Sequence, residues 1–98
     1  MAKNIPSIGE VLYSEFLEHM NINQNALAKA LCIPQNRISD IINRKRGVSA
    51  DTDLRLCKYF GLTDGYFIGI QIDFERITAK SKIQKVLDTI IPLNAASA

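Results

Sequence analysis

The sequence predicts an all-α chain of five short helices followed by a C-terminal helical extension. Three observations carry that expectation. Apolar residues recur at helical intervals of three and four through most of the chain. Residues with capping chemistry (Ser7, Asn23, Ser49, Thr63, Ser81) precede successive apolar runs. Pro34, Gly61 and Pro92 stand where a helix must start or stop.

The first helix is predicted to begin near Ser7, because Ser7 and Glu10 have the spacing of a capping box. Val11, Leu12, Phe16 and Met20 make its inward stripe, and the acidic residues fall opposite. Asn23 caps a second helix, Gln24 to Leu31, with Ala26, Leu27, Ala30 and Leu31 apolar and Ala28 beside them. Pro34 lacks an N–H donor and fits only at or before a helix start. The third helix therefore runs from about Gln35 to Asn43, with Ile38, Ile41 and Ile42 inward.

Ser49 caps the fourth helix, and Asp51 and Asp53 suit the positive end of its dipole. Leu54, Leu56, Cys57 and Phe60 supply its apolar contacts, Gly61 stops it, and Thr63 caps the fifth. Residues 66 to 77 satisfy two periods. Ile68, Ile70, Ile72 and Phe74 alternate as in a strand, while Phe67, Ile70, Phe74 and Ile77 recur as in a helix. The helical neighbours favour a helix. Ser81 and Gln84 repeat the capping-box spacing before a stripe of Ile83, Val86, Leu87, Ile90 and Ile91 that Pro92 ends. The expected organisation is one domain over 1–80 and a C-terminal helix with a frayed tail over 81–98.

Composition narrows the function. The opening MAKNIPSIGE has no apolar core of a signal peptide, and no apolar run approaches the roughly 20 residues of a membrane span. A cytoplasmic protein is the expectation. Cys32 and Cys57 fall on apolar-patterned helical positions and read as buried free thiols. His19 is the only histidine, so no metal centre is expected. No base stands beside a nucleophile and no glycine-rich phosphate loop is present. Neither catalytic residues nor a cofactor is expected.

Charge is distributed unevenly. Residues 1–28 set Lys3 against Glu10, Glu15 and Glu18, a balance of −2. Residues 29–58 set Lys29, Arg37, Arg44, Lys45, Arg46, Arg55 and Lys58 against Asp40, Asp51 and Asp53, a balance of +4. The remainder cancels. The excess positive charge points to a polyanionic partner.

It coincides with a pair of helices whose spacing is specific. Leu27, Leu31, Ile33, Ile38 and Ile41 form five apolar pins, Ala28 permits a close crossing, and only Cys32, Ile33 and Pro34 are left for the turn. That is the spacing of a helix-turn-helix. Its one departure is Cys32, at a turn position that often needs a positive φ and is usually Gly.

The segments NQNALAKAL (23–31) and IPQNRISDIINRKRGVSADTDLRLCKYFG (33–61) carry a resemblance to the Cro/repressor-type (XRE) helix-turn-helix regulators. More closely, the chain resembles the HigA/VapI-like antitoxins. GEVLYSEFLE (9–18) and, more weakly, GYFIGIQIDFE (65–75) extend the likeness to about three quarters of the chain. Ile8 stands where these relatives usually have Pro, and Gly65, Ile68 and Gly69 where they often have Glu, Trp and Asn. The resemblance implies a five-helix lambda-repressor-like DNA-binding domain that recognises a palindromic operator as a homodimer. It also implies a HigB-like mRNA endonuclease toxin as partner in a type II toxin–antitoxin module, with autorepression as the chain's second role. A free-standing helix-turn-helix regulator without a toxin is the alternative.

In such folds the second helix of the motif enters the major groove with its N-terminal residues at the bases. Gln35, Asn36, Arg37 and Ser39 are the expected base readers, since amides match adenine and Arg matches guanine. Gln24, Asn43, Arg44, Lys45 and Arg46 are the expected phosphate contacts. Asp40 is expected to be solvated or paired with Arg37 or Arg44. Tyr66, Phe67, Ile70 and Phe74 are the expected dimer seam, with the stripe from Ile83 second; the alternative is that these rows only close the monomer core.

Overall fold

In the computed structural model, which describes residues 5–94, the chain is all-helical, as the sequence predicts. Ser7 and Glu10 close the capping box at its start. The Glu10 N–H donates to Ser7 Oγ at 3.2 Å, and the Ser7 N–H donates to Glu10 Oε1 at 2.9 Å. Helix α1 (Ile8–Val11) continues without a break into a π-helical stretch, Leu12–Glu18. Then come α2 (Gln24–Leu31), α3 (Gln35–Ile42), α4 (Ala50–Phe60) and α5 (Tyr66–Leu87). Asn23 and Ser49 cap α2 and α4 through their side chains, as expected.

The core gathers one face of every helix. Leu12, Leu27, Ile38, Ile41, Leu56, Cys57 and Phe67 are all within 1 % of complete burial, so truncating one of the Leu or Ile side chains costs about 2–5 kcal/mol. Phe16 stacks at a tilt between Phe60 and Phe67, with ring centroids 4.8 and 5.1 Å away. Gly9 lies on the end of α3, where a Cβ would collide with the Ile41 and Ile42 carbonyls. Only a glycine lets α1 approach the third helix so closely.

Several expectations are corrected. Met20 is exposed in the turn beyond the helix, and Ile8 in α1 and Leu17 in the π-helical stretch fill the core instead. Leu54 is exposed, and Val48 and Thr52 are buried instead. Helix α3 ends at Ile42, which is only half-buried. Cys32 is exposed in the turn rather than buried on a helix, whereas Cys57 is buried. Residues 66 to 77 are helical, which removes the strand alternative.

Thr63 does not cap α5. The buried Asp53 does so from across the interior. Its Oδ2 accepts the Gly65 N–H (2.7 Å), and its Oδ1 accepts those of Phe67 (2.9 Å) and Ile68 (3.0 Å). Gly65 has a φ of 94°, which only glycine adopts freely, so it organises the entry to α5 rather than weakening its interior.

Ser81 caps no helix through its side chain, and the helical run continues past it to a kink at Ile83 (φ −114°, ψ 18°). A second helical segment follows within the expected C-terminal extension and ends at Leu87, before Pro92. Ile83, Val86, Ile90, Ile91 and Leu93 are exposed along this arm. Of the frayed tail expected from Asn94 onward, residues 95–98 lie outside the described residues.

Candidate nucleic-acid interface

The two-helix unit is built as its spacing requires. Cys32 takes the left-handed conformation (φ 61°, ψ 44°) that closes α2. Its N–H donates to the Lys29 carbonyl, and the Ile33 N–H donates to that of Ala28, which satisfies the helix end. Gly61 closes α4 by the same two bonds, to Lys58 and Cys57. Cys32 thus does what a glycine does at the corresponding corner. Pro34, extended at ψ 146°, then leads into α3.

Helix α3 divides its residues sharply. Ile38 and Ile41 are anchored in the core, while Gln35 and Asn36 stand exposed on its first turn. Arg37 is less free. Its side chain is 30 % exposed, and its Nη1 donates to Asp51 Oδ1 at 3.4 Å. The half-buried Ser39 donates its hydroxyl to the Asn36 carbonyl at 3.2 Å, so that donor is already in use.

The basic run after α3 is shaped by its own carboxylates. Arg44, left-handed at φ 63°, pairs with Glu10 at 2.9 Å. The hydrogen bond from the Ser7 backbone, helped by Arg44, holds the Glu10 carboxyl below its ordinary range. Arg46 pairs with Asp40 at 3.5 Å, so Asp40 is paired, but with neither Arg37 nor Arg44 as expected. Lys45 is exposed and has no carboxylate partner among the described residues. Asn43 is exposed, and Gln24 is half-buried at the start of α2.

Three residues that hold this surface stand outside those expected from the sequence. Gln71 of α5 grips Val48 at the end of the basic loop through two hydrogen bonds. Asp51 joins Arg37 to Arg55, and its carboxyl is lowered first by the hydrogen bond from Arg55 and further by the charges of Arg55 and Arg37. Arg55 in turn donates to the Leu31 carbonyl at 2.7 Å. The Asp51–Arg55 spacing of four was a readable signal; Gln71 carried none, since its partner is a distant backbone.

Of the four expected seam residues, Tyr66 is exposed, and Ile70 and Phe74 are half-buried. Phe67 is completely buried among Phe16, Phe60 and Tyr66, so it supports that surface from inside and cannot touch a partner. An open groove of about 1020 Å³ runs between α1 and α5, lined by Val11, Phe74, Ile77 and others. Among the described residues no metal-ligating cluster is present, and no helix is long and apolar enough to cross a membrane.

Comparison with known proteins agrees with this geometry. A helix-turn-helix family model matches residues 14–67. Virulence-associated protein I of Dichelobacter nodosus is 38 % identical over 86 residues, covering 88 % of this chain and 79 % of that protein. Antitoxin HigA-1 of Vibrio cholerae is 33 % identical over 88 residues, covering 89 % of this chain and 82 % of that one. The solved structure of Pseudomonas aeruginosa antitoxin HigA with the higBA promoter superposes with a TM-score of 0.82 at 33 % identity, covering 92 % of this chain and 99 % of that one. A buried two-helix frame, an exposed amide tip and these relatives agree: the chain belongs to the helix-turn-helix family, among the HigA and virulence-associated protein I group.

Proposed function

We infer that this chain is a sequence-specific DNA-binding repressor and the antitoxin of a HigB-like mRNA endonuclease in a type II toxin–antitoxin module. The observation that carries the DNA reading is the division of α3. Its packing residues, Ile38 and Ile41, are buried, and its amides, Gln35 and Asn36, are exposed. The Pseudomonas HigA relative, solved with the higBA promoter, supports it. The relatives' antitoxin names support the toxin partner. The helix-turn-helix family works by binding, and the chain is no enzyme. A cytoplasmic location follows from this role.

In this reading Gln35, Asn36 and Arg37 address base edges in the major groove, with Ser39 beside them. Lys45 meets a phosphate directly. Arg44 and Arg46 meet phosphates by sharing or exchanging Glu10 and Asp40, while Gln24 and Asn43 add neutral contacts. One such unit reads too few base pairs to select a site. A homodimer on a palindrome, with half-sites ~34 Å apart, supplies the rest. Tyr66, Ile70 and Phe74, backed by Phe67, form its seam.

Footprinting on the DNA upstream of the chain's own reading frame, at two salt concentrations, tests the repressor. A protected palindrome is expected, and Gln35→Ala should lower its preference over other DNA by ~1–3 kcal/mol. No protection, or a preference untouched by Gln35→Ala, would sink the placement of the reading helix. Sedimentation tests the dimer, and a monomer at high micromolar concentration would contradict it. Co-purification with a small basic RNase encoded by a neighbouring frame tests the toxin.

A further inference from the structure

We propose that Asp51 is a positioning residue for Arg37 and thereby sets how strongly the chain prefers its own site over other DNA. The proposal rests on α3 being the DNA-reading helix.

A continuous set of contacts leads to Arg37. Arg55 Nη1 donates to the carbonyls of Leu31 (2.7 Å) and Cys32 (3.4 Å), at the corner between α2 and α3. Arg55 Nε donates to Asp51 Oδ1 at 2.7 Å, and the same oxygen accepts from Arg37 Nη1 at 3.4 Å. The corner of the two-helix unit therefore fixes Arg55, Arg55 fixes Asp51, and Asp51 holds one end of the Arg37 guanidinium.

Among the described residues that hold leaves the Nε and Nη2 donors of Arg37 unused, since its side-chain hydrogen bond there uses Nη1. A guanidinium with two free donors in a plane matches the paired acceptors of guanine. A free Arg side chain would instead sample many rotamers and pair with any phosphate in reach. Asp51 restrains those rotamers, and its charge offsets that of Arg37 in encounters with arbitrary DNA. Only a base presenting two acceptors at the right place then gains from Arg37. Exposed ion pairs of this kind add little to folding stability, so the effect falls on discrimination.

The test uses the full chain and two duplexes: one selected by the chain from random-sequence DNA, and a scrambled duplex of equal composition. Asp51→Asn should lower the selected-to-scrambled affinity ratio by about fivefold or more. It should also steepen the salt dependence on the scrambled duplex by about one unit. Asp51→Glu should recover most of the ratio. In an Arg37→Ala background, Asp51→Asn should leave the ratio unchanged.

The proposal is overturned if Asp51→Asn raises affinity for both duplexes equally, for the carboxylate then merely repels DNA. It is also overturned if the Asp51→Asn effect persists without Arg37, or if Arg37→Ala leaves the ratio intact. A chain that enriches no sequence from the random pool would overturn the DNA reading itself, and this proposal with it.

Discussion

Gln71 holds both hydrogen-bonding groups of Val48. The Val48 N–H donates to Gln71 Oε1 at 2.6 Å, and Gln71 Nε2 donates to the Val48 carbonyl at 3.0 Å. Gly47 leaves room for this, because a Cβ there would strike the Gln71 amide. The basic loop behind α3 is thereby fastened to α5. Gln71→Ala should cost about 1–3 kcal/mol by leaving the Val48 groups unpaired. It should also weaken binding to all duplexes alike, as Lys45 and Arg46 lose their fixed placement. Urea unfolding and titration of two unrelated duplexes check this; full affinity in the variant would mean the loop is held by other contacts.

Asp53 supports the start of α5 from inside, receiving three backbone N–H groups while only 2 % exposed. Asp53→Ala strands those donors and should destabilise the chain by roughly 3 kcal/mol or more. Asp53→Asn keeps one acceptor oxygen and should lose less. Denaturant midpoints for the two variants give the order, and equal losses would contradict the account.

Cys32 occupies a left-handed corner at φ 61° that penalises any residue with a Cβ. Cys32→Gly should raise stability by about 1 kcal/mol. Thermal unfolding measures it. A less stable variant would show that the exposed thiol makes contacts the corner depends on.

Glu10 titrates below its ordinary value of 4.5, held there by the Ser7 backbone and by Arg44. A carboxyl lowered on folding stabilises the chain above its unfolded pKa and loses that contribution as pH falls through the folded one. The melting temperature should therefore drop below about pH 4.5 more steeply in the wild type than in Glu10→Gln. Parallel profiles would remove Glu10 from the acid response.

Lys45 and Arg44 should separate in salt titrations. Lys45→Ala should flatten the salt slope by about one unit on any duplex. Arg44→Ala should flatten it less, because Glu10 at 2.9 Å already compensates its charge. Equal changes would mean that the Arg44–Glu10 pair opens fully on DNA.

The parts of the fold visible in the sequence are those decided locally. Ser7 with Glu10, Asn23, Ser49 and Gly61 each act on backbone within a turn of themselves, and each does what its type predicts. Cys32 shows the reverse logic: its position demanded a positive φ although its identity argued against one. The misread parts are non-local. Nothing near Asp53 announces that it will serve a helix 12 to 15 residues away, so Thr63 looked like the better cap. The pairing of Asp40 with Arg46 depends on how the chain folds back after α3, and the grip of Gln71 on Val48 spans 23 residues. Phe67 fitted an interface by composition alone, and only the convergence of three other rings makes it interior.

Ile38 and Ile41 carry α3's attachment while Gln35 and Asn36 stand exposed, so at those two positions the proposed reading turn is independent of the core. In the proposed reading, a lineage can retarget this protein to a new genomic address by changing the two amides on one turn, with no compensating repair inside. The same independence lets an engineer exchange positions 35 and 36 as a cassette without opening a cavity in the core.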